Sequence, residues 1–117
     1  MPTNLQCFAQ RRGITNQDDR VEVIIDVVCD YYDVGHREIM SESRDPRLIW
    51  PRHVIMGIAA AHRISSKLIG KAMRRHRGVV SYADKKVRDF CDVNAEARSE
   101  VQHLTDKIRS IWISTRL

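Results

Sequence analysis

Glycine, proline, cysteine and aromatic residues are all scarce in this sequence of 117 residues, which has five glycines, three prolines, three cysteines and 6% aromatics. With so few chain breakers, long uninterrupted elements are expected. No stretch alternates strictly between apolar and polar residues, so half-buried strands are not expected. The cysteines, Cys7, Cys29 and Cys91, are odd in number and form no C-x-x-C pair. That argues against a disulfide framework and against a zinc site. Cys29, among Val27, Val28, Tyr31 and Tyr32, reads as a buried thiol acting as a small apolar residue. No apolar run approaches the roughly 20 residues of a membrane span. The first residues, MPTNLQCFAQRRG, lack a basic start followed by an apolar region, so a cytoplasmic location is expected. No nucleophile elbow, phosphate-cradling glycine loop or H-E-x-x-H occurs, and His53, His62 and His76 form no metal-ligand pattern with carboxylates. Neither an enzyme nor a cofactor or metal site is expected. His62 reads as a satisfied core histidine.

What the sequence does have is localised positive charge. The formal net charge is +5, yet residues 51–90 hold ten basic residues against two acidic ones. The basic ten are Arg52, Arg63, Lys67, Lys71, Arg74, Arg75, Arg77, Lys85, Lys86 and Arg88; the acids are Asp84 and Asp89. Residues 1–50 carry six basic against nine acidic, and 91–117 carry four of each. A local cationic excess is suited to a phosphate backbone.

Helical periods dominate the rest. Val21, Ile24, Ile25, Val28, Tyr31 and Tyr32 predict a helix over about 19–32, with cap candidates at Asn16, Asp18 and Asp19 and a stop at Asp33 and Gly35. A short helix is expected over about 36–40, then a polar loop, then a third helix opening at Pro51 with Val54, Ile55, Ile58, Ala59 and His62 inward. Ser65 or Ser66 can cap a fourth, about 66–73, with Leu68, Ile69, Ala72 and Met73 inward. A fifth, about 76–90, would bury Val79, Val80, Ala83, Val87 and Phe90. A long last helix, about 94–113, carries Ala97, Val101, Leu104, Ile108 and Ile111 in a short heptad-like seam, open to core packing or to homodimerisation. Residues 1–18 show no period and read as an arm or a short extra helix ahead of one helical domain, 19–117.

Helices at 51–62, 66–73 and 76–90 joined by tight turns fit a helix-turn-helix, whose second helix enters the major groove. Arg75, His76, Arg77 and Gly78 would then reach base edges. Gly78 permits close approach to DNA or simply serves a tight turn. Lys67, Lys71 and Arg74, spaced by four and three, would share an outer face toward phosphates, or be an ordinary solvated face. Arg44 and Arg47 would enter a minor groove, or pair with Glu42 or Asp45.

From Val27 to Val87 the sequence resembles the C-terminal DNA-binding domain (domain IV) of bacterial DnaA replication initiators. The family's V-A-x-Y-[YF]-x-V stands here as Val28-Cys29-Asp30-Tyr31-Tyr32-Asp33-Val34, its A-R-P-R-Q as Ile49-Trp50-Pro51-Arg52-His53, and its S-L-x-x-I-G-x-x-F falls on Ser65–Met73. Its G-R-D-H-[ST]-T-V-x-x-A-x-[RK]-K-[IV] aligns with Arg75–Val87. The resemblance implies an all-α, Trp-repressor-like helix-turn-helix fold of about six helices that binds double-stranded DNA near the nucleoid. It puts Arg44 in the minor groove, Arg52 on phosphate, and Arg75 to Val79 at the bases. His53 replaces the glutamine, and Ser66 lies at the start of the motif. The departures concentrate in His76-Arg77-Gly78-Val79, and one residue is missing from each turn. With 117 residues and no G-x-x-x-x-G-K-[ST], an ATPase module is not expected. The alternative is an adaptor that keeps the scaffold and binds a replication-control protein, with Trp50, Phe90 and Trp112 as apolar anchors.

Overall fold

A computed structural model describes residues 16–117, which form six helices and no strand. The helices are α1 (Asn16–Tyr32), α2 (His36–Met40), α3 (Pro46–Ala61), α4 (Ser66–Met73), α5 (Arg77–Val93) and α6 (Ala95–Thr115). The expected N-terminal arm lies outside the described residues up to residue 15. Residues 16–18 already belong to α1, so Asn16, Asp18 and Asp19 stand inside its first turn, where the two carboxylates face the positive end of the helix.

The third helix begins five residues earlier than its sequence suggests. Asp45 caps it, accepting the Arg47 N–H at 2.9 Å, and Pro46 is the proline at its start. Pro51 is instead interior and buried. The loop before the helix is correspondingly short, running from Ser41 to Asp45.

The core is built from the inward stripes of α1, α3, α4, α5 and α6 (Ile24, Ile25, Ile55, Ile58, Ile69, Met73, Val80, Leu104 and Ile108 among them). Three residues expected inside are outside: Tyr31, Val79 and Phe90 are 48%, 39% and 45% exposed. On α5 the buried positions are Val80, Ala83 and Val87, whose spacings of three and four define one face; Val79 and Phe90 flank it. The α3–α5 crossing is close because Gly57 has no side chain: a Cβ there would lie 3.0 Å from a Val87 methyl. The seam of α6 turns toward the core, with Ala97, Leu104 and Ile108 buried and Val101 and Ile111 packed against it. Trp112 is buried too. Its indole N–H donates to the Arg20 carbonyl at 3.3 Å, and the Arg20 guanidinium lies over its ring. It is therefore no surface anchor. Cys29 is buried, and desolvation pushes its thiol up to about 12. His62 is satisfied by the Ile58 carbonyl at 2.8 Å from Nδ1. Among the described residues no helix is long and apolar enough to cross a membrane.

Candidate nucleic-acid interface

Helices α4 and α5 are joined by three residues, Arg74, Arg75 and His76. Ser65 caps α4, its hydroxyl accepting the Leu68 N–H at 3.1 Å. Arg74 ends α4 in the left-handed conformation, φ 56°, and the Arg75 N–H reaches back to the Gly70 carbonyl at 2.8 Å. This closure needs Gly70, because a Cβ there would sit 2.6 Å from the Arg75 carbonyl oxygen. His76 then caps α5 with its ring, Nδ1 accepting the Gly78 N–H at 3.0 Å. Gly78 is exposed in the first turn of α5, and a Cβ on it would meet that imidazole at 3.2 Å. The glycine thus accommodates the cap and leaves the helix start open.

Two guanidinium groups pin the loop before α3 to this motif. Arg52 donates to the carbonyls of Ile39 (3.0 Å), Ser43 (2.6 Å), Glu38 (3.0 Å) and Ser41 (2.8 Å). Arg75 donates to Ser41 (2.6 Å), Met73 (3.2 Å), Arg74 (3.2 Å) and Met40 (3.4 Å). The Ser41 carbonyl is shared, so both cations meet there. Burial, and then the charge of Arg75, lowers the pKa of Arg52. Arginine suits this task because its planar fork carries five donors in fixed directions.

The other expected site residues divide by what holds them. Arg47 is drawn into pairs with Asp45 (3.1 Å) and Glu38 (3.2 Å), and its N–H and side chain hold the Asp45 carboxyl below the usual range. Arg44, Lys67, Lys71, Arg74 and Arg77 are exposed, and among the described residues they have no ion pair. Ser66 is half-buried in the first turn of α4, while its neighbour Ser65 does the capping. His53 is half-buried on α3, edge-on to Tyr82 with 6.0 Å between ring centroids; burial, then Lys86, holds its imidazole below the usual range.

A family model described as the bacterial DnaA protein helix-turn-helix matches residues 21–87. The chain belongs to this family. Chromosomal replication initiator proteins DnaA are also similar: that of Bacteroides fragilis is 30% identical over 96 residues, that of Corynebacterium jeikeium 29% over 105, and that of Onion yellows phytoplasma 23% over 101. These alignments cover 80%, 85% and 86% of this chain, and 20%, 18% and 20% of the respective relatives. The chain therefore spans about a fifth of their length.

Within this DnaA-type motif, two further side chains, Tyr82 and Lys86, adjoin the expected set. Tyr82 is 56% exposed between His53 and Lys86, and the Lys86 ammonium lies 5.3 Å from its ring centroid. Val79, one turn earlier, is exposed as well. The signal for Lys86 was in the charge excess. Tyr82 carried none, because its exposure depends on how α3 lies across α5, and Val79, placed inward by its helical period, was put at the bases only by the family resemblance. Among the described residues no group of three His, Cys, Asp or Glu could hold a metal ion.

Proposed function

We propose that this chain binds double-stranded DNA and regulates replication initiation or transcription. On this reading α5 enters the major groove, with His76, Arg77, Gly78 and Val79 toward base edges and Arg44 toward the adjacent minor groove. Lys67, Lys71 and Arg74 face phosphates. Arg52 and Arg75 act chiefly as positioning residues that hold the Arg44 loop against the motif. The observation that carries the proposal is the contrast among cations. Arg44, Lys67, Lys71, Arg74 and Arg77 are exposed, and without an ion pair among the described residues, on elements that Arg52 and Arg75 tie together. An unpaired surface cation turning toward a phosphate gives up only side-chain freedom and hydration, whereas a paired one must also give up its carboxylate.

The test is a fluorescence anisotropy titration against duplexes selected from a random pool. Arg44→Ala combined with Arg77→Ala is expected to weaken binding at least about tenfold, since each arginine–base contact is worth about 1–3 kcal/mol. Affinity should also fall steeply with salt, by about 0.9 logarithmic units per decade for each phosphate neutralised. An unchanged affinity in the double variant refutes the assigned reading surface.

A second reading, an adaptor for a replication-control protein, is favoured by exposed apolar side chains. Ile49 is 46% exposed, Phe90 45% and Val93 83%, and Phe90 stacks edge-on with the half-buried Trp50. Absence of binding to any duplex at low salt would turn the choice toward it.

A further inference from the structure

Helix α2 and the turn of the helix-turn-helix border an open cleft of about 420 Å³, lined by His36, Arg37, Met40, Ser41 and Arg74. Three of the five are basic residue types. Arg37 and Arg74 are both exposed, and neither side chain has a hydrogen bond or ion pair within the described chain. Two carboxylates that would oppose an anion, Glu38 and Asp26, are already engaged. The Glu38 carboxylate accepts the Gly35 N–H at 3.0 Å and pairs with Arg47 at 3.2 Å. Asp26 pairs with the His36 ring at 2.9 Å. The Ser41 carbonyl at the cleft wall takes two guanidinium donors, from Arg52 and Arg75. A cleft with free cations at its rim and neutralised acceptors in its wall is a site for an anion.

Arg74 also carries a backbone cost. Its φ of 56° lies in the left-handed region, where glycine would sit without strain. The sequence keeps a long cation at that position, three residues before Arg77 at the start of α5.

We propose that this cleft takes a phosphate of the DNA backbone lying outside the stretch read by α5, with Arg37 and Arg74 as its ligands. The proposal rests on the duplex-binding reading and extends its footprint onto α2, which the sequence reading left without a role. The partner is the polymer's phosphate, not a free anion. A single phosphodiester of a duplex already docked on α5 reaches the rim at high effective concentration.

The test compares the wild type with Arg37→Ala, Arg37→Glu and Arg77→Ala on a labelled duplex of about 30 base pairs, three helical turns. Arg37→Ala is expected to weaken binding about five- to tenfold near 0.1 M salt and to lower the steepness of the salt dependence by about 0.9, the release from one phosphate. Arg37→Glu should weaken it further. One phosphate whose ethylation blocks the wild type should cease to matter for Arg37→Ala. Because Arg37 is exposed and unpaired, the urea midpoint should be unchanged in both variants. Wild-type affinity and salt dependence in both Arg37 variants, with Arg77→Ala weakened, overturns the cleft and leaves the duplex-binding reading standing. An unaltered ethylation pattern alongside weaker binding also overturns it, since the charge would then act at a distance. Should Arg77→Ala also bind like the wild type, the duplex reading falls and the cleft falls with it.

Discussion

Arg52 and Arg77 are both arginines of one basic segment, yet replacing them should have opposite signatures. Arg52→Ala removes four hydrogen bonds to backbone carbonyls. The Ser43 and Glu38 carbonyls lie in exposed bonds and can turn to water, whereas the bonds to the Ile39 and Ser41 carbonyls are partly buried. At about 1 kcal/mol for each of those two, the variant should lose about 2 kcal/mol of stability. For a domain of this size that is a fall in Tm of about 8 °C. Arg52→Lys should recover little, because an ammonium directs its donors from one point and cannot span carbonyls on both sides of the loop. Arg77→Ala should change stability by less than about 0.5 kcal/mol, its side chain being exposed and unpaired, while weakening duplex binding. Urea melts of the three variants, paired with anisotropy titrations, decide the matter. If Arg52→Ala unfolds at the wild-type urea concentration, the carbonyl clamp does not hold the loop. The division into positioning and contacting arginines would then fail.

Gly70→Ala should destabilise by about 2 kcal/mol despite better helix propensity, because the new methyl meets the Arg75 backbone oxygen; a wild-type melt would refute the close approach. Ser65→Ala, which removes the cap of α4, should cost about 1 kcal/mol by the same measurement, while Ser66→Ala should be nearly silent. The unfolded His53 imidazole takes up a proton near pH 6.5, but burial and Lys86 hold the folded pKa lower. The unfolded state therefore binds more protons below pH 6.5. Stability should drop as pH falls through that window, and His53→Gln should flatten the decline in urea midpoint. Since the α6 seam is spent on the core, light scattering should find a monomer at micromolar concentration; a dimer lost on changing exposed α6 residues such as Ile113 would show a different pairing face.

Much of the helical layout was readable because each helix carries its own period and punctuation. The bounds of α2 and α4 coincide with those expected, and α5 and α6 run two or three residues past their expected ends. The error at α3 has a local cause. Pro46 and Pro51 both suit a helix start on propensity, and the choice falls to the Asp45 carboxylate, which captures the Arg47 N–H. The misplaced Val79 and Phe90 have a nonlocal one. Apolar residues flanking a helical stripe are buried only if a neighbour covers that flank. The neighbouring α3 offers Phe90 the edge of Trp50 and no full cover.

The sequence alone determined the helix periods, the concentration of cations in residues 51–90 and the likeness to the DnaA helix-turn-helix, since all three depend on residues close together in the chain. The structure alone decided which cations are free. Arg52 and Arg75 find their carbonyls 9 to 14 and up to 35 residues away, whereas Arg37 and Arg74 share one cleft although 37 positions separate them. A long flexible side chain takes whichever acceptor the packed chain brings within reach, and that depends on tertiary packing.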